Sequence, residues 1–141
     1  MVALAIVLDV AFNSGRDTVV SAAELADRTG MARRTLEPLL QALSRERLLD
    51  STRGPHGGYR LARPARLIKV SEPITVGLNS LEESAHDLAG RLHQMVIEPL
   101  WREFDATLLA LADSLTIEDL LKRAAKAGLR KPVTDPLNFV I

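Results

Sequence analysis

Residues 21–30, SAAELADRTG, constrain the fold most, because a helix-start signal and a helix-stop signal stand only nine positions apart. In Ser21-Ala22-Ala23-Glu24 the serine hydroxyl can accept from the Glu24 amide while the Glu24 side chain reaches back, the reciprocal cap that opens helices. Gly30 falls where a helix C-terminus needs a left-handed residue. A short helix over about 22–29 follows from that spacing. A second is expected from about Arg33 to Arg47, with Leu36, Leu39, Leu40 and Leu43 at i, i+3, i+4 and i+7 on one apolar face. Pro38 lies inside it, costs one backbone bond and is expected to bend it slightly. Two short helices joined at a glycine, the second opening on Arg33 and Arg34, outline a helix-turn-helix. In that motif the start of the second helix projects side chains into the major groove of DNA.

The next stretch, TRGPHGGYRLARP at 52–64, reads as a hairpin. Leu48 to Arg53 forms one strand, Gly54-Pro55-His56-Gly57-Gly58 the turn, and Tyr59-Arg60-Leu61 the return strand, with the glycines expected to supply positive φ. A thin glycine-rich hairpin beside a helix-turn-helix can enter a groove of DNA, where its arginines meet phosphates or the electronegative minor groove. Charge points the same way. The chain carries 18 Lys/Arg and 18 Asp/Glu, yet residues 28–69 hold ten cations against three acids, a balance of +7. Residues 1–27 carry −3 and residues 70–141 carry −4, so a basic middle faces a polyanion between acidic ends.

The remainder is helical punctuation. Residues 2–12 read as a helix ended by Asn13-Ser14-Gly15. Ser71-Glu72-Pro73 is a helix start, with Ser71 as cap and a short helix to about Gly77. From there apolar positions run Leu81, Ala85, Leu88, Leu92, Met95, Pro99 and resume at Phe104, Leu108, Leu111, Leu115, with spacings of three and four that form a seam for another helix. Pro99 is expected to kink this long helix without ending it. A last helix opens at Thr116-Ile117-Glu118-Asp119 and stops at Gly128, before a proline-broken tail. One recognition helix and one wing cover only a few base pairs, so the seam is read as a dimerisation element that lets a two-fold dimer address a palindromic site.

Several chemistries lack their parts. With no cysteine there is no disulfide, thiolate metal site or cysteine nucleophile, which suits a reducing, cytosolic setting. The opening MVALAIVLDVAF is interrupted by Asp9 and preceded by no basic region, so it reads as a buried first helix and not as a signal peptide; no apolar run is long enough for a membrane span. The GPHGG turn links two strands and does not open a helix, so it is no phosphate loop, and no strand–turn–helix elbow presents a serine. No enzyme activity is expected. His86 and His93, which with Glu98 suggest a metal reading, would stand about 10.5 Å apart along one helix, too far for both to bind one ion unless the helix breaks or a dimer mate contributes, so no metal site is expected. Asp9 reads as a residue of the exposed stripe before a ligand, and Trp101 as core or interface before an effector-stacking ring.

Taken together, LAIVLDVAF, SAAELADRTGMARRTLEPLLQALSRERLLDSTRGPHGGYRLARP and PLWREFDATLLALADSLTIEDLL resemble the Rrf2 family of bacterial winged helix-turn-helix regulators, nearly as far as Leu121. The most specific piece is the wing, Arg53-Gly54-Pro55 through Gly57-Gly58-Tyr59-Arg60-Leu61. The resemblance implies a homodimeric transcription regulator, usually a repressor, of the bacterial cytoplasm. It departs from the family in two places. The best-studied members hold an iron–sulfur cluster on three cysteines before the dimerisation helix, whereas Asn79 to Glu98 here has none and reads as continuous helix, SLEESAHDLAGRLHQMVIEPLW; a thiolate-ligated cluster has no ligands. Members also carry several further residues, often basic and near DNA, ahead of the first helix; either the protein lacks that extension or its start lies further upstream, and some phosphate contacts are in question accordingly.

The expected protein is mostly α with a small β-hairpin: a winged helix-turn-helix domain over 1–78, a dimerisation helix and following short helix over 79–128, and a tail over 129–141. DNA contacts are assigned to Arg33, Arg34 and Thr35 in the major groove, to Arg53, His56, Gly57, Gly58, Tyr59 and Arg60 in the wing, and to Arg63 and Arg66 on nearby phosphates. Dimerisation is assigned to Leu88, Leu92, Met95, Leu100, Trp101, Phe104, Leu108 and Leu111. The expected partners are double-stranded DNA, a second copy of the chain and an unidentified small-molecule effector, with no membrane and no cofactor. The rival reading is a winged-helix adaptor whose basic face binds an acidic protein.

Overall fold

The computed structural model describes residues 1–15, 17–82 and 90–132, the side chains of residues 81 and 82 excepted. Helix α1 (Val2–Asn13) is apolar on nearly every side and packs against all its neighbours: α2 (Ala22–Thr29), α4 (Ser71–Glu82), α6 (Ile117–Lys126) and the second hairpin strand. A helix hydrophobic all round belongs at the centre of a core, and Ile6, Val7 and Val10 are fully buried there. No helix among the described residues is long and apolar enough to cross a membrane.

Helix α2 is bounded as its caps dictate. The Ser21 hydroxyl accepts from the Glu24 N–H at 3.2 Å and the Ser21 N–H donates to Glu24 Oε2 at 2.7 Å. That backbone donor, with the hydroxyl second, holds the Glu24 carboxyl below its ordinary value. At the other end Gly30 adopts φ 69°. Helix α3 (Arg33–Arg45) ends two residues before the expected Arg47, because Arg47 itself turns to φ 54° to start the hairpin. Leu36, Leu40 and Leu43 are buried, Leu39 is half-buried at the edge of the face, and Pro38 sits inside the helix.

Strands β1 (Leu49–Thr52) and β2 (Gly58–Leu61) pair antiparallel, with Leu49 opposite Leu61 and Thr52 opposite Gly58. Besides its packing on α1, the hairpin is fastened to the body by a contact that its own sequence does not announce. The Val20 and Tyr59 backbones exchange two hydrogen bonds, each 2.8 Å, so Val20 acts as a one-residue third strand. A 3-10 turn (Ala65–Leu67), not foreseen, leads to α4.

Helix α4 runs to Glu82, well past the expected stop near Gly77, and passes through the 78/79 boundary without a break. Ser71 does not cap it. Its hydroxyl donates to Asp113 Oδ1 at 2.9 Å, and Glu72 instead receives the Lys69 N–H at 2.8 Å. Ala85, His86 and Leu88 lie outside the described residues, and Gly90 lies outside any helix, so the expected continuous helix through this region is broken there. From 91 to 113 the chain is helical, first through a π-turn (His93–Ile97) and then α5 (Glu98–Asp113).

The π-turn resolves a flaw in the expected three–four spacing, whose step from Pro99 to Phe104 is five; with Leu100 on the face in place of Pro99, the step of five falls between Met95 and Leu100, at the π-turn. The Glu98 N–H donates back five residues to the His93 carbonyl, so the wider turn takes up one residue and keeps Leu92 and Met95 in phase with Leu100, Phe104, Leu108 and Leu111. The same widening accommodates Pro99, which has no N–H to give. The chain re-enters the core at Ala112, Leu115 and Ile117, where the Thr116/Asp119 capping box opens α6 and the Thr116 hydroxyl, then its N–H, hold the Asp119 carboxyl low.

Candidate nucleic-acid interface

The first turn of α3 presents Arg33, Arg34 and Thr35, all exposed, at the N-terminal end of the helix, ahead of the buried leucines. Arg53 and His56 stand exposed in the five-residue turn between the strands, and Arg66 stands exposed on the 3-10 turn. Among the described residues no acid pairs with Arg33, Arg34, Arg53 or Arg66. Arg60 has only Asp50 across the hairpin at 3.9 Å, with both side chains about half exposed, a pair that screening makes weak. These seven residues thus offer donors to solvent from three successive elements: recognition helix, wing and the segment after the wing.

Four of the residues assigned to DNA have structural roles that the sequence did not announce, and one expectation about them, positive φ, is corrected. Gly57 and Gly58 do not have positive φ; of the turn's glycines only Gly54 does, at 112°. Their role is close approach. A Cβ on Gly57 would stand 2.2 Å from the Thr52 carbonyl oxygen, and one on Gly58 would stand 2.6 Å from that of Val20. Gly58 is buried and unavailable to a ligand. Tyr59 gives its backbone to Val20 and packs its ring against the core, so it anchors the wing. Arg63 is engaged inside the protein. It donates to Glu72 Oε2 and to the Arg47 and Leu67 carbonyls, a fork that a guanidinium can span, and so ties the end of the wing to α4.

Sequence reasoning also missed the Asp9–Arg28 pair. Arg28 makes three hydrogen bonds of 2.7–3.1 Å to the Asp9 carboxylate, joining α1 to α2. Those bonds raise the guanidinium pKa above its ordinary value. The Asp9 carboxylate is thereby occupied by a residue of its own chain. Positions 9 and 28 lie 19 apart, and only their shared exposed edge between two helices brings them together.

The other surface is apolar. Leu92, Met95, Leu100, Trp101, Phe104, Leu108 and Leu111 remain between 41% and 75% exposed along one helix, and Trp101 meets Phe104 edge-on at 5.9 Å. Glu98 accepts from Arg102, and among the described residues no group of three or more His, Cys, Asp and Glu is placed to hold a metal.

A short helix, a glycine turn, a basic second helix and a pinned hairpin define a winged helix-turn-helix transcriptional regulator, a class that binds DNA and catalyses nothing. The chain belongs to the Rrf2 family, described as an iron-dependent transcriptional regulator, whose sequence model matches residues 1–123. It is 34% identical over 128 residues to the HTH-type transcriptional regulator IscR of Cereibacter sphaeroides, covering 86% of this chain and 81% of that one. Among solved structures it resembles T. potens IscR, with a TM-score of 0.61 at 29% identity over 93% of this chain and 85% of that one. It shares the fold of CymR, the global cysteine regulator of B. subtilis, with a TM-score of 0.63 at 24% identity over 86% and 91% of the two chains. The iron in the family description meets a chain without cysteine, so its donor set does not fit a thiolate-ligated cluster.

Proposed function

We propose that the protein is a cytoplasmic, sequence-specific repressor that acts as a homodimer on a palindromic operator and occludes it. Arg33, Arg34 and Thr35 read base edges, while Arg53, His56, Arg60 and Arg66 hold phosphates or the minor groove. Residues 1–78 form the reading domain and 79–128 the dimerising part. A small-molecule effector takes the place of the cluster as the signal.

The observation that carries this reading is the unpaired apolar face of Leu92 to Leu111, seven large side chains left in water on a single helix. Full burial of one such side chain contributes about 1.5–3 kcal/mol, so burying the exposed parts on two protomers contributes on the order of 10–20 kcal/mol. That exceeds much of the range of about 4–15 kcal/mol that association costs. Leu88, assigned to the same seam from the sequence, lies outside the described residues.

Sedimentation velocity combined with fluorescence anisotropy on a 30-base-pair duplex tests the proposal. A dimer whose DNA affinity falls steeply with salt, about one log unit per log salt for each phosphate held, is expected. A monomer, or a dimer that ignores duplex DNA at low salt, refutes it and favours the acidic-protein adaptor.

A further inference from the structure

A cleft of about 350 Å³ opens at the root of the wing, between the C-terminal end of α1, the end of β2 and α6. It falls in the range of roughly 300–1,000 Å³ that small-molecule sites occupy. Three cations line it, Arg60, Arg63 and Lys131, and no acid does among the described residues that form its wall. Arg63 is already neutralised by Glu72, and Arg60 is only loosely held by Asp50 at 3.9 Å. Lys131 arrives from the far end of the chain and spends one donor on the Ala11 carbonyl at 3.0 Å, capping α1. Its ammonium keeps two further donors. The rest of the wall includes Leu61, Ala62 and Leu121, an apolar surface beside unneutralised positive charge.

We propose that this cleft binds a small organic carboxylate, its anionic head between Lys131 and Arg60 and its apolar body against Leu61 and Leu121. Charge-assisted hydrogen bonds fix the head, and the apolar wall selects against plain inorganic anions. Arg60 belongs both to the cleft and to the wing. A carboxylate that holds it withdraws one cation from the DNA-facing surface, so ligand and DNA oppose each other by linkage. The antagonism rests on the DNA-binding reading; the carboxylate site itself does not.

The test is a titration of ¹⁵N-labelled full-length protein with sodium hexanoate, hexanol and inorganic phosphate at constant ionic strength, followed by anisotropy on a duplex with and without hexanoate. Saturable shifts at Gly15, Leu61 and Ala62 with hexanoate alone are expected. Lys131→Met should weaken them about tenfold, and Lys131→Arg, which keeps the charge, should restore them. Equal response to phosphate, the same shifts produced by duplex but not by hexanoate, or unchanged affinity in Lys131→Met overturns the site. In the anisotropy arm hexanoate should raise the apparent Kd of the duplex, and an unchanged Kd overturns the antagonism. A protein that binds hexanoate but no duplex counts against the DNA reading while upholding the cleft.

Discussion

Replacing Gly58 by alanine tests how the wing is held. The added Cβ would stand 2.6 Å from the Val20 carbonyl oxygen, 2.7 Å from its carbon and 3.0 Å from the Ser21 nitrogen, all of them backbone atoms. Ordinary contact requires about 3.5 Å, so strand and Val20 must separate by about 0.9 Å. The two Val20–Tyr59 hydrogen bonds, now 2.8 Å each, are then stretched beyond bonding length. Their loss costs about 1–3 kcal/mol, and the reduced entropy of the unfolded chain returns about 0.4–1 kcal/mol. The net effect is about 1–2 kcal/mol, or a fall in Tm of about 4–8 °C. Gly90→Ala is the control, since its Cβ meets nothing within 4 Å and its φ is ordinary; it should be neutral or slightly stabilising. Circular dichroism gives Tm, and hydrogen exchange of the Val20 and Tyr59 amides reports the bridge itself. Loss of protection at those two amides with a weakened duplex affinity is expected. Unchanged protection and Tm in Gly58→Ala would refute the claim that Val20 pins the wing.

Other consequences are equally concrete. Arg53→Gln should weaken binding to every duplex and lower the salt slope by about one, whereas Arg33→Ala should change which sequence is preferred, as competition binding across operator variants will show. Leu108→Glu, in the middle of the exposed face, should shift sedimentation toward the monomer without lowering secondary structure content. Arg63→Lys should cost about 1–2 kcal/mol in urea unfolding, because an ammonium cannot span Glu72 and the two carbonyls in one plane. The Glu24 carboxyl is held below its ordinary 4.5, so its contribution is present above that value and lost as pH falls through the folded one. Glu24→Gln should therefore be less stable than wild type at neutral pH and converge with it in acid, as unfolding midpoints across a pH series will record.

Features carried by neighbouring residues were legible in the sequence. The Ser21/Glu24 and Thr116/Asp119 caps, the stop at Gly30 and the hairpin each depend on a few consecutive residue types whose chemistry is local. The three-element basic surface was legible too, as a charge excess. Contacts between distant positions left no such mark. Arg63 looked like any other wing cation until Glu72 and two carbonyls closed around it, and Val20 carried no sign that it would pair with Tyr59. Gly57 and Gly58 were legible as obligatory, but the reason lay in what approaches them, which is tertiary. One step of five in the apolar spacing between Met95 and Phe104 was present in the sequence and pointed to an extra residue in the winding, the signal that would have located the π-turn.

The most direct test of the central claim is selection from a random duplex library with the purified full-length chain, retained DNA being sequenced over successive rounds. An inverted repeat is predicted, with half-sites about one helical turn, 10–10.5 base pairs, apart or a multiple of it, matching two recognition helices related by a two-fold axis. Retention without an enriched repeat, or no retention even at low salt, would contradict a dimeric reader of DNA sequence.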